Sequence, residues 1–191
     1  QFASGSTLTD TNTLLNVNGD ANAVNAAGAI NVEDNNGPEA LTVVQALAIE
    51  AFTNTGANSY ALTDTALSLM AANGTVVGNS TTVDVTGNVD ITVTQFNSLF
   101  TTYGSKMALV DNKVAGTATE LAGLNAQGTA ELITNGVTLS SGALTISEAV
   151  ALYNTHGATA CDLANFAVID TVAALTSGTA DADTLTILDA I

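Results

Sequence analysis

Positive charge is nearly missing from this sequence: its 191 residues hold two basic side chains, Lys106 and Lys113, against 18 acids. Neutralising phosphates takes clustered Lys and Arg, so nucleic acid is set aside as a partner. Phosphate-binding enzymes and anionic membrane surfaces are disfavoured for the same reason. A formal charge of −16 suits a salty or calcium-rich medium, where screening relaxes self-repulsion. Tryptophan is absent, and histidine and cysteine occur once each. A lone Cys161 makes no internal disulfide and reads as a small packing residue. One His and one Cys fall short of the three or four protein ligands of a zinc site. Paired carboxylates for glycoside hydrolysis would need sugar-binding aromatics, and the missing Trp speaks against them. No stretch reaches the roughly 18 consecutive apolar residues of a membrane helix, so membrane insertion is not expected. No signal peptide is visible, and the first residue is Gln1, as in a processed or excised chain.

What the sequence does have is a recurring helix start. Leu41-Thr42-Val43-Val44-Gln45, Ile91-Thr92-Val93-Thr94-Gln95 and Leu144-Thr145-Ile146-Ser147-Glu148 each read Thr-x-x-(Gln/Glu), a capping box. The Thr hydroxyl accepts from the N–H three residues on, and the Gln or Glu reaches back to the Thr N–H. The aliphatic residue before each Thr stands where it staples onto Ala46, Phe96 or Ala149. Beyond the boxes, Val43, Ala46, Ile49 and Thr53 match Val93, Phe96, Leu99 and Tyr103, and Ile146, Ala149, Leu152 and His156, as one helix face. His156 therefore reads as a helix-end residue rather than a catalyst.

A second signal is an aliphatic stretch ending in Asp: Leu8-Thr9-Asp10, Tyr60-Ala61-Leu62-Thr63-Asp64, Met107-Ala108-Leu109-Val110-Asp111 and Phe166-Ala167-Val168-Ile169-Asp170. Its alternation predicts a short extended segment, and Asp10, Asp64, Asp111 and Asp170 are expected as N-caps of the helices that follow. A residue needed once per unit is a structural cap, not a catalytic acid. Asn73-Gly74 and Ser177-Gly178 supply expected helix stops. Ahead of each box, Ala29–Val32, Thr82–Val85 and Glu131–Leu139 are β-branched and bounded by Gly and Asn, as short strands are.

Thr42, Thr92 and Thr145 lie 50 and 53 residues apart, inside the range of stacked repeats. The expected fold is an α/β repeat, solenoid-like, of about three and a half stacked units of strand, capped helix, short strand and Asp-capped helix. As a single repeat domain it divides into a tail and half repeat (1–24), three repeats (25–80, 81–130, 131–178) and a closing half repeat (179–191). Beginning and ending in mid-unit is expected of a piece of a longer array, or of a subunit that completes its neighbour head to tail.

Two further features point outward. Glu33-Asp34-Asn35-Asn36-Gly37-Pro38-Glu39 gathers acids and amides around a Gly turn, the flexible oxygen-rich kind of loop that calcium prefers, although EF-hand spacing is absent. Glu33, Asp34, Asn36 and Glu39, with Asp181 and Asp183, are the candidate calcium ligands; no other cofactor is expected. Asn73-Gly74-Thr75 and Asn79-Ser80-Thr81 are sequons, expected in a polar loop, so Asn73 and Asn79 are candidate glycosylation positions in an exported protein.

Runs such as "LTDTALSL" (62–69), "VIDTVAAL" (168–175) and "LTVVQALA" (41–48) resemble the Thr/Ala/Asn-rich repeats of secreted bacterial surface proteins. These include S-layer-like, adhesin-like and calcium-dependent type I secreted proteins. The resemblance covers roughly residues 7–191 and implies an extracellular or cell-surface structural role, often with calcium; a virion surface fits the same pattern. The expected function is a non-catalytic subunit of a self-assembling surface layer, filament or particle coat, with copies of itself as partners. The alternative is an adhesin-type module that recognises a glycan or a cell surface.

Overall fold

The structure, a computed structural model, describes residues 7–10, 28–34, 37–87, 89–109, 111–126, 136–140, 142–160 and 167–171. The strands are β1 (Thr7–Asp10), β2 (Ala29–Asp34), β3 (Gly37–Pro38), β4 (Ala40–Leu41), β5 (Tyr60–Asp64), β6 (Ser80–Val85), β7 (Ile91–Thr92), β8 (Met107–Ala108), β9 (Val114–Gly116) and β10 (Val137–Leu139). The helices are α1 (Val43–Glu50), α2 (Ala66–Met70), α3 (Gly74–Asn79), α4 (Val93–Tyr103), α5 (Ala118–Ala126) and α6 (Ile146–Ala160). A 3-10 turn, Gly104–Lys106, follows α4, and Gly104 at φ +57° takes the left-handed conformation that ends helices at glycine.

The fold is mixed α/β with parallel sheets, and the described strands close no barrel. The chain divides into two compact units, residues 1–87 with 98–108 and residues 88–97 with 109–191, the division passing through α4. The first unit holds the sheets β1-β2-β3 and β4-β5-β6-β8. Every pairing there is parallel except the tight hairpin of β2 with β3 (Glu33↔Pro38, Asp34↔Gly37). The second unit holds β10-β9-β7, also parallel, and a parallel bridge from Leu144 to Val168.

Register shows what builds the core. Leu41 pairs with Leu62, Leu62 with Val83 and Val83 with Met107, all four buried. In the second unit Ile91 pairs with Val114 and Val114 with Val137, again all buried. Parallel partners thus stand 20 to 24 residues apart along these two ladders. That distance is what a strand, a crossover helix and a return loop require. Each buried aliphatic side chain contributes about 1.5–3 kcal/mol relative to exposure. On the helices, Val43, Ala46 and Ile49 of α1, Val93, Phe96, Leu99 and Tyr103 of α4, and Ile146, Ala149 and Leu152 of α6 are buried. These are the positions the helix-face pattern selects. Thr53 departs from it, because α1 ends at Glu50 and leaves Thr53 exposed.

Two expected boundaries move. Asn73-Gly74 is a start rather than a stop: the Asn73 side chain accepts from the Val76 N–H at 2.9 Å and opens α3. No helix follows Asp111, which is exposed on a bend ahead of β9. Ser177-Gly178 and the closing half repeat (179–191) lie outside the described residues.

Candidate functional site

The chain's recurring local device is the helix start. Thr42 accepts from the Gln45 N–H at 3.3 Å while Gln45 Oε1 accepts from the Thr42 N–H at 2.8 Å. Thr92 and Gln95 do the same at 3.1 and 2.9 Å, and Thr145 and Glu148 at 3.3 and 2.8 Å. A fourth box, Thr117 with Glu120, opens α5 at 3.3 and 2.8 Å. Its sequence, Thr-Ala-Thr-Glu, has the right spacing, but Gly116 stands where the other boxes have an aliphatic staple residue. Hydrogen bonds from the Thr117 N–H and hydroxyl hold the Glu120 carboxyl below its ordinary pKa.

The helix after Asp64 is opened by its neighbour. Thr65 is the N-cap of α2, accepting from the Ser68 N–H at 3.3 Å. Asp64 instead reaches sideways: one carboxylate oxygen accepts from the Thr65 N–H at 2.7 Å, the other from the Val43 N–H at 3.0 Å. Val43 is the first residue of α1, and the first four amides of a helix have no partner inside it. Asp170 repeats this arrangement with Thr171 (2.7 Å) and with Ile146, the first residue of α6 (3.0 Å). The recurring Asp therefore completes the helix start of the preceding strand–helix unit, 21 or 24 residues back. Gly116 stands one residue before the cap Thr117, as Asp64 stands before Thr65. A Cβ there would lie 2.6 Å from Val93 Cγ2, so the Val93 side chain fills the space that a carboxylate uses elsewhere. Asp10 lies in β1, its side chain outside the described set.

Polar side chains also converge on Glu50, and the sequence reading missed them. Glu50 Oε1 accepts from the Tyr60 hydroxyl at 2.7 Å and from Asn79 Nδ2 at 2.9 Å; Oε2 accepts from Asn58 Nδ2 at 3.1 Å. Asn54 Nδ2 then donates to Asn58 Oδ1 at 2.8 Å. Burial first, and the bond to Glu50 second, raise the Tyr60 pKa well above its ordinary value, keeping the phenol neutral. Both oxygens of this carboxylate accept from internal donors, so it gathers side chains from three neighbouring segments into one network. A cue was present: an acid at a helix C-terminus opposes the helix dipole and needs compensating donors.

The other candidates are scattered. Glu39 is half-buried between β3 and β4, with its backbone bonded to Val32 and Ala61. Glu33 and Asp34 lie in β2 with side chains outside the described set; Asn36, Asp181 and Asp183 lie outside the described residues altogether. Among the described residues no three His, Cys, Asp or Glu side chains are grouped to hold a metal ion. The sequons sit at the two ends of α3 rather than in a loop, and the Asn79 amide nitrogen, the atom a glycan would join, is engaged by Glu50. His156 lies in α6 with its side chain outside the described set, and Cys161 lies outside the described residues. One of the two cations, Lys106, donates to the carbonyls of Val77 and Gly78 in the last turn of α3, at 3.2 and 3.3 Å. No described helix is long and apolar enough to cross a membrane. No family model, curated protein or solved structure matches this chain.

Proposed function

We propose that this chain is a non-catalytic structural subunit of an extracellular assembly, a surface layer, filament or particle coat. In this reading the strand–helix units stack as in a solenoid. The observation that carries it is the repetition of one junction: parallel strands 20 to 24 residues apart, of which β4, β5, β7 and β9 run straight into helices opened by Thr42, Thr65, Thr92 and Thr117, with Asp64 and Asp170 each reaching back to the helix start before it. A unit of this size cannot bury its apolar face alone, so its stability comes from its neighbours. Such a design suits a building block, because the same junction geometry recurs along the chain. Only 10% of the residues are charged, which leaves broad neutral Thr, Asn and Ala surface for packing between subunits. The convergent carboxylate at Glu50 is used up internally, which fits a scaffold role. Electron microscopy of the purified protein tests the proposal. Filaments, sheets or regular particles are expected, and a monodisperse monomer at every concentration overturns it.

A further inference from the structure

The two sequons flank α3, and the fold treats their reactive groups in opposite ways. Asn-linked transfer needs the Asn amide nitrogen, which takes the sugar, and the Ser or Thr hydroxyl two residues on. At Asn79-Ser80-Thr81 both are spent. Asn79 Nδ2 donates to Glu50 Oε1 at 2.9 Å, and the Thr81 hydroxyl donates to the Tyr60 carbonyl at 3.0 Å. Ser80 between them is 3% exposed, and its hydroxyl donates to the Val77 carbonyl at 2.8 Å. A sugar on Asn79 would stand against Glu50, in the network that also holds Tyr60. Asn73-Gly74-Thr75 is built the other way. All three residues are exposed, and a Cβ placed on Gly74 would meet no atom within 4 Å. Asn73 caps α3 through its oxygen alone, accepting from the Val76 N–H at 2.9 Å. Among the described residues no bond engages Asn73 Nδ2 or the Thr75 hydroxyl. A cap uses the amide oxygen and a glycan uses the amide nitrogen, so one side chain can serve both.

We propose that Asn73 is an N-glycosylation site and that folding closes Asn79 to the same reaction. The inference rests on the extracellular reading above, since such acceptors belong to secreted proteins. The donor is an oligosaccharide carried on a polyprenyl pyrophosphate. Asn73 Nδ2 bonds to the anomeric carbon of the first sugar as the bond from that carbon to the pyrophosphate oxygen breaks. The lipid pyrophosphate leaves with the electron pair. The amide gives one proton to a carboxylate of the transferase and keeps the other. Because the Asn73 oxygen takes no part in the new bond, the cap to Val76 survives the modification. In an assembly the sugar holds the Asn73 end of α3 in solvent, clear of contacts between subunits.

A purified single-subunit oligosaccharyltransferase, supplied with a disaccharide of N-acetylglucosamine on polyprenyl pyrophosphate, tests this on the folded full chain. Peptide mapping by mass spectrometry reads the occupancy of each Asn. Synthetic peptides of residues 68–78 and 74–86 give the reference in which neither sequon is folded. Both peptides are expected to be modified. In the folded chain, occupancy of Asn73 relative to its peptide is expected to exceed that of Asn79 at least tenfold. Asn73→Asp, which keeps a capping oxygen, and Thr75→Ala, which leaves the cap untouched, should each abolish the Asn73 signal; circular dichroism checks that both are folded. Equal occupancy of the two sites, or no transfer to Asn73 in the folded chain, overturns the site while leaving the extracellular assembly standing. A chain that is modified at Asn73 yet stays a monodisperse monomer in the electron microscope overturns the assembly and keeps the site.

Discussion

The two units make the same junction in two ways. In the first, the starts of α1 and α2 are tied by Asp64, and the helices show Val44, Leu47, Leu67 and Met70 to solvent. In the second, the α4 start meets Gly116, whose missing side chain leaves room for Val93, and the helices show mostly Thr, Ser and Asn. Asp170 then restores the carboxylate tie at the start of α6. A helix start thus needs its neighbour's backbone close by, and either a hydrogen-bonded carboxylate or a packed aliphatic group completes the space. What the outward face carries is a separate choice.

The comparison can be broken by substitution. The largest effect is expected in the first unit, where Glu50→Ala leaves the buried Tyr60 hydroxyl and Asn58 amide without their acceptor; unfolding by urea should show a loss of about 3 kcal/mol. Next come the two junctions. Gly116→Ala should cost about 2 kcal/mol by overpacking against Val93, and Asp64→Ala about as much by removing a charged acceptor from two amides. A harmless Gly116→Ala would mean that the two junctions are not alternatives. Caps are alike in both units, so Thr42→Ala and Thr117→Ala should each cost about 1 kcal/mol. A large inequality between them would show that the units differ at the helix start as well.

The smallest effect is a pH dependence. Folding lowers the Glu120 pKa from its reference value of 4.5, so the ionised box stabilises the fold above that value. The contribution is lost as pH falls through the lower folded value. Glu120→Gln should therefore melt below the unsubstituted protein at neutral pH. The difference in melting temperature should close in acid.

What was legible in the sequence is what is local. The boxes at Thr42, Thr92 and Thr145 span four residues, and the buried faces of α1, α4 and α6 follow a 3.6-residue period, so both can be read without knowing the fold. The extended segments around Tyr60 and Met107 were legible for the same reason. Asp64 was placed beside a helix start, but as the cap of the next helix, which Thr65 opens; the residues after Thr171 that would test the same expectation for Asp170 lie outside the described residues. Asp64 and Asp170 each have a second partner 21 or 24 residues earlier in the chain, and no local pattern points there. The Glu50 hub draws on Asn58, Tyr60 and Asn79, up to 29 residues away, and was invisible for that reason. Thr117 was hidden by its preceding glycine, which the junction with Val93 requires. With Thr65 and Thr117 included, the threonine-capped starts fall at 42, 65, 92, 117 and 145.

The central claim is that Asp64 and Asp170 each finish a helix begun by the strand–helix unit before it. Native-state hydrogen exchange at the Val43 and Ile146 amides, followed by NMR in the unsubstituted protein and in Asp64→Ala, tests it most directly. Slow exchange at both sites is predicted, with protection lost at Val43 and kept at Ile146 in the variant. Rapid exchange at both in the unsubstituted protein, or protection at Val43 that survives the loss of Asp64, would contradict it.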